Sequence, residues 1–283
     1  MSWAVRTGLQ WAQDTLRQEG VNEARLAGEV LLAHALGLDR FKLYLQPQRP
    51  LDEAEAARFR ELVARRGQGV PLQHLIGQVS FMGHPIQVNG RVLIPRFETE
   101  ELVERALQRV SPEAPLRFLD AGTGSGAIAV ALAKALPLAQ GVALDRSPEA
   151  LDVARANAAL NRVAERLRFV EGDWLEGLDG LFELIVANPP YVPSGQIAAL
   201  AREVRDHDPR LALDGGPDGL DALRRLIPQA APRLAPGGWL LLEIGHDQAD
   251  AVRALLGEVG FGRVAVYADL AGADRIAEAQ WGG

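Results

Sequence analysis

Beyond Pro115, short apolar runs alternate with longer segments in which apolar residues recur every three or four positions. Seven of the runs have the length and composition of strands: LRFLD, GVALD, LRFVEGD, FELIVANPP, GWLLLEIG, RVAVYAD and RIAEAQW. Such alternation predicts an α/β fold, with a mostly parallel, doubly wound sheet that is covered by helices on both faces. Only LAGAD separates the last two runs, so we expect them to form an antiparallel hairpin at or near one edge.

The first 70 residues follow a helical pattern instead. Asn22 is the expected cap of the second helix, and Gly37 lies where that helix should end. The next segment alternates in polarity and contains Asn89-Gly90, which predicts a hairpin or two short strands. We therefore expect a helical domain over residues 1–70, a hairpin linker over 71–95 and an α/β domain over 96–283.

The composition excludes several kinds of chemistry. The 283 residues include no cysteine, which rules out disulfides, thiolate catalysis and cysteine-based zinc sites, and we expect no metal site. A net charge of −7 argues against affinity based on phosphate neutralisation, although it does not exclude a local basic patch. No run of 18 apolar residues occurs, and the first 20 residues carry several charges. Neither a membrane span nor a signal peptide is expected, so we expect a soluble cytoplasmic enzyme.

Three alternating glycines, Gly122, Gly124 and Gly126, lie between the first strand of the α/β pattern and its helix. Glycines at this place allow backbone N–H groups to approach a ligand at the helix N-terminus. The loop also satisfies the dinucleotide pattern G-x-G-x-x-G/A, with Ala127 last, so a nicotinamide and another adenosine cofactor both stay possible. Asp120, just before the loop, favours a cofactor with an amino group over a pyrophosphate.

The second and third strands also end in acidic residues. Asp145 ends GVALD at the edge where such sheets bind ligands, and its carboxylate can accept both hydroxyls of a ribose. The same residue could instead cap the helix that starts near Pro148. Asp173 and Trp174 end the third strand, where the indole could pack on an adenine and the carboxylate could accept from its amino group. The alternative for Trp174 is a place in the core.

The fourth strand ends in NPPY, Asn188 to Tyr191. Two consecutive prolines fix two φ angles and remove two backbone N–H donors. An N–H₂ group needs two acceptors, and the Asn188 side-chain oxygen and the Pro189 carbonyl can supply them. Tyr191 offers a face for stacking on a planar substrate. The alternative is that the two prolines only terminate the strand.

These motifs together resemble those of the class I S-adenosylmethionine-dependent methyltransferases: DAGTGSG, the acidic end of strand two, GDW and NPPY. Adenine-N6 DNA methyltransferases and N5-glutamine protein methyltransferases share NPPY. The segments LIPRFETEELV (93–103), ALDGGPDGL (212–220) and LAPGGWLLLEIG (234–245), with the helical N-terminal domain, resemble the HemK/PrmC family. The one departure is Phe97, where that family's motif PRPETE has proline.

The resemblance implies a Rossmann-like domain with a seven-stranded sheet. It also implies transfer of a methyl group from S-adenosyl-L-methionine to the glutamine N5 of the Gly-Gly-Gln motif in peptide chain release factors, in translation termination. Implied to bind the cofactor are Gly122, Thr123, Gly124, Ser125, Gly126, Asp145, Trp174 and Asn188. Implied to bind the glutamine are Asn188, Pro189, Pro190 and Tyr191, of which Asn188, Pro189 and Tyr191 carry the catalysis without a general base.

Further expectations concern partners and alternatives. We expect a monomer that binds a release factor but neither nucleic acid nor membrane, with the N-terminal helices and residues 71–90 contacting the substrate protein and residues 192–216 forming a flap. The alternatives are a glutamine methyltransferase of a ribosomal protein, a DNA adenine methyltransferase and a non-catalytic cofactor-binding partner of the translation machinery. A DNA enzyme would need a basic cleft and a target-recognition domain, and the sequence supplies neither clearly.

Overall fold

The computed structural model describes residues 3–282, which fall into two compact units. The helical unit comprises the described residues up to Gln78 together with the segment Ala201–His207. The α/β unit comprises Val79–Leu200 and the described residues from Asp208 onward.

The helices and strands follow one another in this order. The helices are α1 (Val5–Gln18), α2 (Ala24–Leu36), α3 (Arg40–Leu45), α4 (Glu53–Gly67), α5 (Leu72–Ile76), α6 (Phe97–Leu107), α7 (Ala127–Ala135), α8 (Pro148–Leu160), α9 (Arg202–His207), α10 (Arg210–Leu213), α11 (Asp221–Ala230) and α12 (Ala249–Val259). The strands are β1 (Gln78–Phe81), β2 (His84–Gln87), β3 (Arg117–Ala121), β4 (Gln140–Asp145), β5 (Leu167–Glu171), β6 (Phe182–Ala187), β7 (Leu234–Glu243), β8 (Gly262–Ala268) and β9 (Asp274–Gln280).

Local capping signals mark several helix ends in the helical unit, and one predicted cap, Asn22, is wrong. Gly37 ends α2 in the left-handed region at φ +61°, as predicted. The prediction of Asn22 as the cap of α2 is wrong, because Glu23 occupies that position and makes no side-chain capping hydrogen bond. At the start of α4, Asp52 and Glu55 form a reciprocal capping box. The short helix α9 joins this unit, where Glu203 pairs with the buried Arg66.

A hairpin of β1 and β2 precedes the large sheet. Its turn lies at Met82-Gly83, not at Asn89-Gly90 as the dipeptide suggested. Both turn residues have positive φ, +49° and +74°, which suits the right-handed twist of a two-residue hairpin. Phe81 and Ile86 are buried in the core of the α/β unit, so the hairpin is packed against that core.

The large sheet has seven strands in the order β5-β4-β3-β6-β7-β9-β8. The pairs among β3 to β7 are parallel, and β9 is antiparallel to both β7 and β8. The chain winds outward from β3 to β5 and then returns to place β6 beside β3, with Asp120 opposite Val186. The predicted doubly wound sheet and its antiparallel C-terminal hairpin are confirmed. This reversal brings the glycine loop and NPPY to adjacent strand ends.

Both faces of the sheet are buried. Successive residues of β3 point to opposite faces, so Phe118 joins a core with α6, α7 and α8, while Leu119 joins a second core with α11 and α12. Each core is apolar and continuous across the central strands, which leaves the carboxyl ends of those strands as the place where polar groups can converge. Within residues 3–282, no helix combines the length and the apolar character that crossing a membrane would require.

Candidate active site

The glycine loop connects β3 to α7, and its three glycines all have positive φ. They do so for different reasons. At Gly124 a Cβ atom would meet nothing within 4 Å, so its backbone faces open space. At Gly126 a Cβ atom would lie 2.9 Å from the Cβ of Ala154 in α8, so this glycine allows the loop to pack on a neighbouring helix. Of these two glycines, Gly124 is therefore the one whose backbone a ligand can approach closely.

Two buried carboxylates hold the loop in shape. Asp145 accepts from the backbone N–H of Gly124 at 2.8 Å through Oδ2 and from that of Ser147 at 2.9 Å through Oδ1. Asp120 accepts from the Thr123 hydroxyl at 2.6 Å and from the Ala129 N–H at 3.0 Å through Oδ2. Burial raises the pKa of both groups, that of Asp120 to about 7. Asp145 thus fixes the loop at Gly124, and Asp120 fixes it at Thr123 and at the start of α7.

One cavity of the α/β unit gathers most of the predicted site residues. Its described lining includes Gly122, Thr123, Gly124, Ser125, Asp145, Trp174, Asn188 and Pro190. Gly126, Pro189 and Tyr191 are not part of that described lining. Asp120 is also outside that lining and is fully buried, and its Oδ1 has no hydrogen-bond partner within residues 3–282. The expected contact of its carboxylate with a cofactor amino group stays a prediction.

Asp173 and Trp174 form another part of the wall. Trp174 has φ +57°, an uncommon conformation for a bulky residue, and its ring lies 3.6 Å from the position a Cβ of Gly122 would take. Asp173 accepts from Arg225 at 2.6 Å through Oδ2. Its buried Oδ1 has no hydrogen-bond partner within residues 3–282. A buried unpaired acceptor at a cavity wall is suited to an amino donor on a ligand.

Asn188 and Pro190 of NPPY line the cavity, whereas Pro189 and Tyr191 do not. The Asn188 Nδ2 donates to the Thr99 hydroxyl at 3.1 Å, and the Tyr191 hydroxyl donates to Glu243 Oε1 at 3.3 Å. In the described chain, no hydrogen bond reaches Asn188 Oδ1 or the carbonyl of the buried Pro189. These two acceptors on adjacent residues therefore have no partner within residues 3–282, and Asn188 also lines the cavity.

The turn GGPDG (215–219) holds the backbone of NPPY. It is part of the segment ALDGGPDGL, to which the sequence analysis assigned no role. A Cβ atom on Gly215 would lie 2.7 Å from the Pro190 carbonyl oxygen, and one on Gly219 would overlap the Tyr191 carbonyl. Gln248 donates to the carbonyls of both Tyr191 and Gly219 at 3.1 Å. Only glycine permits this close contact, which fixes where Pro190 and Tyr191 lie.

Thr99 and Glu243 form a buried polar pair next to Asn188 that the sequence analysis missed, and Thr99 also belongs to the cavity lining. Thr99 lies in the first turn of α6 and donates to Oε2 of Glu243, the last residue of β7, at 2.7 Å. Glu243 is only 1% exposed, and its burial raises its pKa to about 7. An acidic residue that ends the apolar run GWLLLE is the signal that could have identified it.

The predicted flap, residues 192–216, begins and ends at the site. Its ends are joined because the Val192 N–H donates to the Leu213 carbonyl at 3.0 Å and the Gly215 N–H donates to the Val192 carbonyl at 2.9 Å. Pro209, Leu211 and Ala212 line the cavity. The C-terminal part of the segment thus contributes to the wall of the site.

The arrangement can bind an adenosine cofactor beside an amide. The Gly124 backbone is open, and the Asp145 carboxylate uses two of its about four acceptor positions for the N–H groups of Gly124 and Ser147, which leaves others for ligand hydroxyls. The unpaired Asp173 oxygen and the Trp174 ring offer an acceptor and an apolar face for a purine. Asn188 stands at the adjacent strand end with a free side-chain oxygen.

Comparison with known proteins gives consistent results along the chain. Residues 8–77 match the PrmC N-terminal domain family, and residues 101–271 match the methyltransferase small domain family. The release factor glutamine methyltransferase of Geobacter sulfurreducens is 46% identical over 275 residues, which cover 97% of this chain and 95% of that protein. The enzyme of the same name from Bradyrhizobium diazoefficiens is 48% identical over 245 residues, which cover 85% and 82%.

Comparison with a solved methyltransferase structure shows a similar fold. The T. thermophilus 16S rRNA N2 G1207 methyltransferase in complex with AdoMet and guanosine is similar with a TM-score of 0.53. It is 21% identical, and the match covers 72% of this chain and 49% of that one. The similarity is one of fold alone.

Proposed function

The chain belongs to the release factor glutamine methyltransferase family, and from that premise we propose the reaction it catalyses. It transfers a methyl group from S-adenosyl-L-methionine to the side-chain amide nitrogen, N5, of the glutamine in the Gly-Gly-Gln motif of peptide chain release factors. The observation that carries the proposal is the pair of free acceptors, Asn188 Oδ1 and the Pro189 carbonyl. A primary amide has two N–H groups, and each of the two acceptors can take one.

The cofactor is proposed to lie in the cavity of the α/β unit, where S-adenosyl-L-methionine supplies an electrophilic methyl group when bound. The open backbone at Gly124, with its neighbours Thr123 and Ser125, borders the methionine part. Asp145 accepts from the ribose hydroxyls, while Asp173 and Trp174 border the adenine. This division follows from the chemistry of the donors and acceptors that line the cavity.

Asn188 and Pro189 bind and orient the substrate amide. With both N–H groups directed to fixed acceptors, the lone pair of the amide nitrogen is directed away from them, toward the cofactor side of the site. This is catalysis by positioning, in which ordered reactants replace a bimolecular encounter. Pro190 and Tyr191 flank the amide. Once alkylated, the amide nitrogen is strongly acidic, and its proton leaves to water without a tuned base.

The alternatives considered from the sequence are not favoured. The relatives that cover nearly the whole chain bear one name, release factor glutamine methyltransferase. A ribosomal-protein glutamine methyltransferase or a DNA adenine methyltransferase would require a substrate that none of these relatives is named for. A non-catalytic cofactor-binding protein would not need the two acceptors of NPPY, because it would bind no substrate amide.

We also propose the binding partner of the protein, its oligomeric state and its location in the cell. The helical unit recognises the release factor, and the chain works as a monomer, without binding nucleic acid, in the cytoplasm, where translation terminates. The division 1–70, 71–95 and 96–283 remains our proposal for the roles of the segments.

The test is incubation of the purified protein with S-adenosyl-L-methionine and a purified bacterial release factor, followed by mass spectrometry of the Gly-Gly-Gln peptide. We expect a gain of one methyl group, about 14 Da, located on the glutamine side chain. A release factor in which that glutamine is alanine is the matched control. No methylation of the wild-type factor, or equal methylation of both factors, would contradict the proposal.

A further inference from the structure

The proposed function depends on which end of the Asn188 amide faces the substrate. The oxygen and the N–H₂ group of an asparagine have nearly the same shape, so packing alone distinguishes them poorly. If the N–H₂ group faced the substrate, it would oppose the N–H₂ group of the glutamine, and two donors would meet without an acceptor. Some other group must therefore set the orientation of Asn188.

The structure contains a chain of three polar side chains that ends at Asn188. Glu243 Oε2 lies 2.7 Å from the Thr99 hydroxyl, and that hydroxyl lies 3.1 Å from Nδ2 of Asn188. Glu243 and Thr99 are 1% and 4% exposed, so water does not compete for these contacts. The three residues come from the end of β7, the first turn of α6 and the end of β6, which the fold holds together.

Donor and acceptor chemistry gives this chain a direction. When Glu243 is ionised, its carboxylate accepts and cannot donate, so the single hydroxyl hydrogen of Thr99 goes to Glu243. The Thr99 oxygen then has only lone pairs left, and it can pair with Asn188 only if the N–H₂ group faces it. From this we propose that Glu243 and Thr99 are positioning residues that turn the Asn188 oxygen toward the substrate. The proposal rests on the function given above.

Other groups around Glu243 are consistent with a carboxylate that accepts. Tyr191 donates its hydroxyl hydrogen to Oε1 at 3.3 Å, which places a second NPPY residue on the same carboxylate. Burial has the largest effect and raises the pKa of Glu243 to about 7, while the guanidinium of Arg275 lowers that pKa and so favours the charged form. Arg275 is itself fixed by Asp269 and by the Ile244 carbonyl. One buried carboxylate therefore orders both ends of NPPY.

The test uses two variants of Thr99 that differ in one group. Thr99→Val keeps the shape and removes the hydroxyl, and Thr99→Ser keeps the hydroxyl and removes the methyl group. We expect Thr99→Val to lower the single-turnover rate of methyl transfer about 10- to 100-fold, the range for a misplaced reacting group. We expect Thr99→Ser to stay within about threefold of wild type and both variants to bind S-adenosyl-L-methionine as wild type does.

A second comparison separates positioning from general structural damage. In an Asn188→Ala background there is no amide left to orient, so adding Thr99→Val should change the rate less than about twofold. A loss of the same size in both backgrounds would show that Thr99 acts on the structure and not through Asn188, and would overturn the proposal. A wild-type rate for Thr99→Val would overturn it as well.

A spectroscopic measurement tests the orientation without any substrate. The side-chain N–H₂ signal of Asn188, identified by its loss in Asn188→Ala, should show one hydrogen-bonded proton that exchanges slowly with solvent in wild type and in Thr99→Ser. In Thr99→Val that protection should be lost. Protection that persists in Thr99→Val would contradict the proposal. If wild type fails to methylate a release factor while this pattern holds, the proposed function fails and the orientation of Asn188 stands.

Discussion

The carboxylate of Asp145 accepts a hydrogen bond of 2.8 Å from the backbone N–H of Gly124, the glycine that faces the open cavity. Asp145→Ala removes this support of the loop together with the acceptor proposed for the ribose. We expect cofactor affinity to fall about 10- to 150-fold, which corresponds to 1.5–3 kcal/mol for a lost charged hydrogen bond. Calorimetric titration with S-adenosyl-L-methionine measures the loss.

Asp145→Asn is the matched control for that variant. Its single oxygen can still accept from Gly124, but the N–H₂ group cannot accept from a ribose, so we expect an intermediate affinity. Unchanged affinity in a folded Asp145→Ala protein would show that the carboxylate does not face the cofactor. Tighter binding of a nicotinamide dinucleotide than of S-adenosyl-L-methionine would instead favour a nicotinamide as the cofactor of the glycine loop.

Gly124 and Gly126 should respond to substitution in different ways. A Cβ at Gly126 meets Ala154 of α8, so Gly126→Ala should lower the free energy of unfolding by about 1–3 kcal/mol through overpacking. A Cβ at Gly124 meets nothing and extends into the cavity, but φ of +54° is strained for any other residue. Gly124→Ala should therefore lower the free energy of unfolding by about 1–2 kcal/mol and also weaken cofactor binding, and Gly124→Val should abolish binding. Denaturant unfolding and calorimetry, applied to both variants, measure the two effects. The prediction fails if Gly124→Ala loses stability without losing affinity.

The sequence predicted those parts of the site that depend on strand order. Asp145 and Asn188 end strands of a parallel sheet, and parallel strands bring their carboxyl ends to one edge, so their proximity followed from alternation alone. Glu243 also ends a parallel strand, β7, so the same argument could have found it. Thr99 could not be found in this way, because it lies on α6, 89 residues from Asn188 and 144 from Glu243, and no local pattern specifies how that helix packs. The hairpin turn was misplaced because Asn89-Gly90 is a strong local signal, whereas the turn uses Met82.

The pKa of Glu243 predicts a pH dependence of stability. Burial raises this pKa from 4.5 to about 7, so the folded protein holds the proton more tightly than the unfolded chain does. The cost of burying the charge is therefore absent below about pH 4.5 and grows as the pH rises to about 7. Glu243→Gln removes the charge, so its stability relative to wild type should increase by about 3 kcal/mol between pH 4 and pH 8.

Denaturant unfolding at a series of pH values tests this dependence. The exposed Glu258 on α12 gives the control, because Glu258→Gln should change stability by less than about 0.5 kcal/mol. A stability difference between Glu243→Gln and wild type that stays constant from pH 4 to pH 8 would show that Glu243 does not titrate in this range in the folded protein.

The position of the β1–β2 hairpin changes where the chain can be shortened. A chain that starts at residue 88 would lose Phe81 and Ile86 from the core, together with the 2.7 Å hydrogen bond from the Gln87 N–H to Asn157. We expect a chain that begins at residue 88 to melt well below one that begins at Val79. The longer truncated chain should still bind the cofactor, but should methylate a release factor more slowly than the full chain. Equal melting temperatures would contradict the packing of the hairpin, and equal methylation would contradict the role of the helical unit.

The central claim is that Asn188 acts by accepting from the substrate amide. Asn188→Ala should weaken release factor binding by about 1–3 kcal/mol, because a donor is left unpaired, and should lower the rate further. Asn188→Asp keeps an acceptor oxygen of the same shape but adds a charge. That charge stabilises a cationic cofactor more before the reaction than in the transition state, so the rate should fall while cofactor affinity holds or rises.

The most direct measurement is single-turnover methyl transfer to the Gly-Gly-Gln motif of a release factor by wild type, Asn188→Ala and Asn188→Asp, with cofactor affinity measured separately. The account predicts that both variants are slower than wild type, that Asn188→Asp retains more activity than Asn188→Ala, and that neither loses affinity for S-adenosyl-L-methionine in proportion to the lost rate. Wild-type rates for both variants would contradict it and would reduce NPPY to the end of a strand.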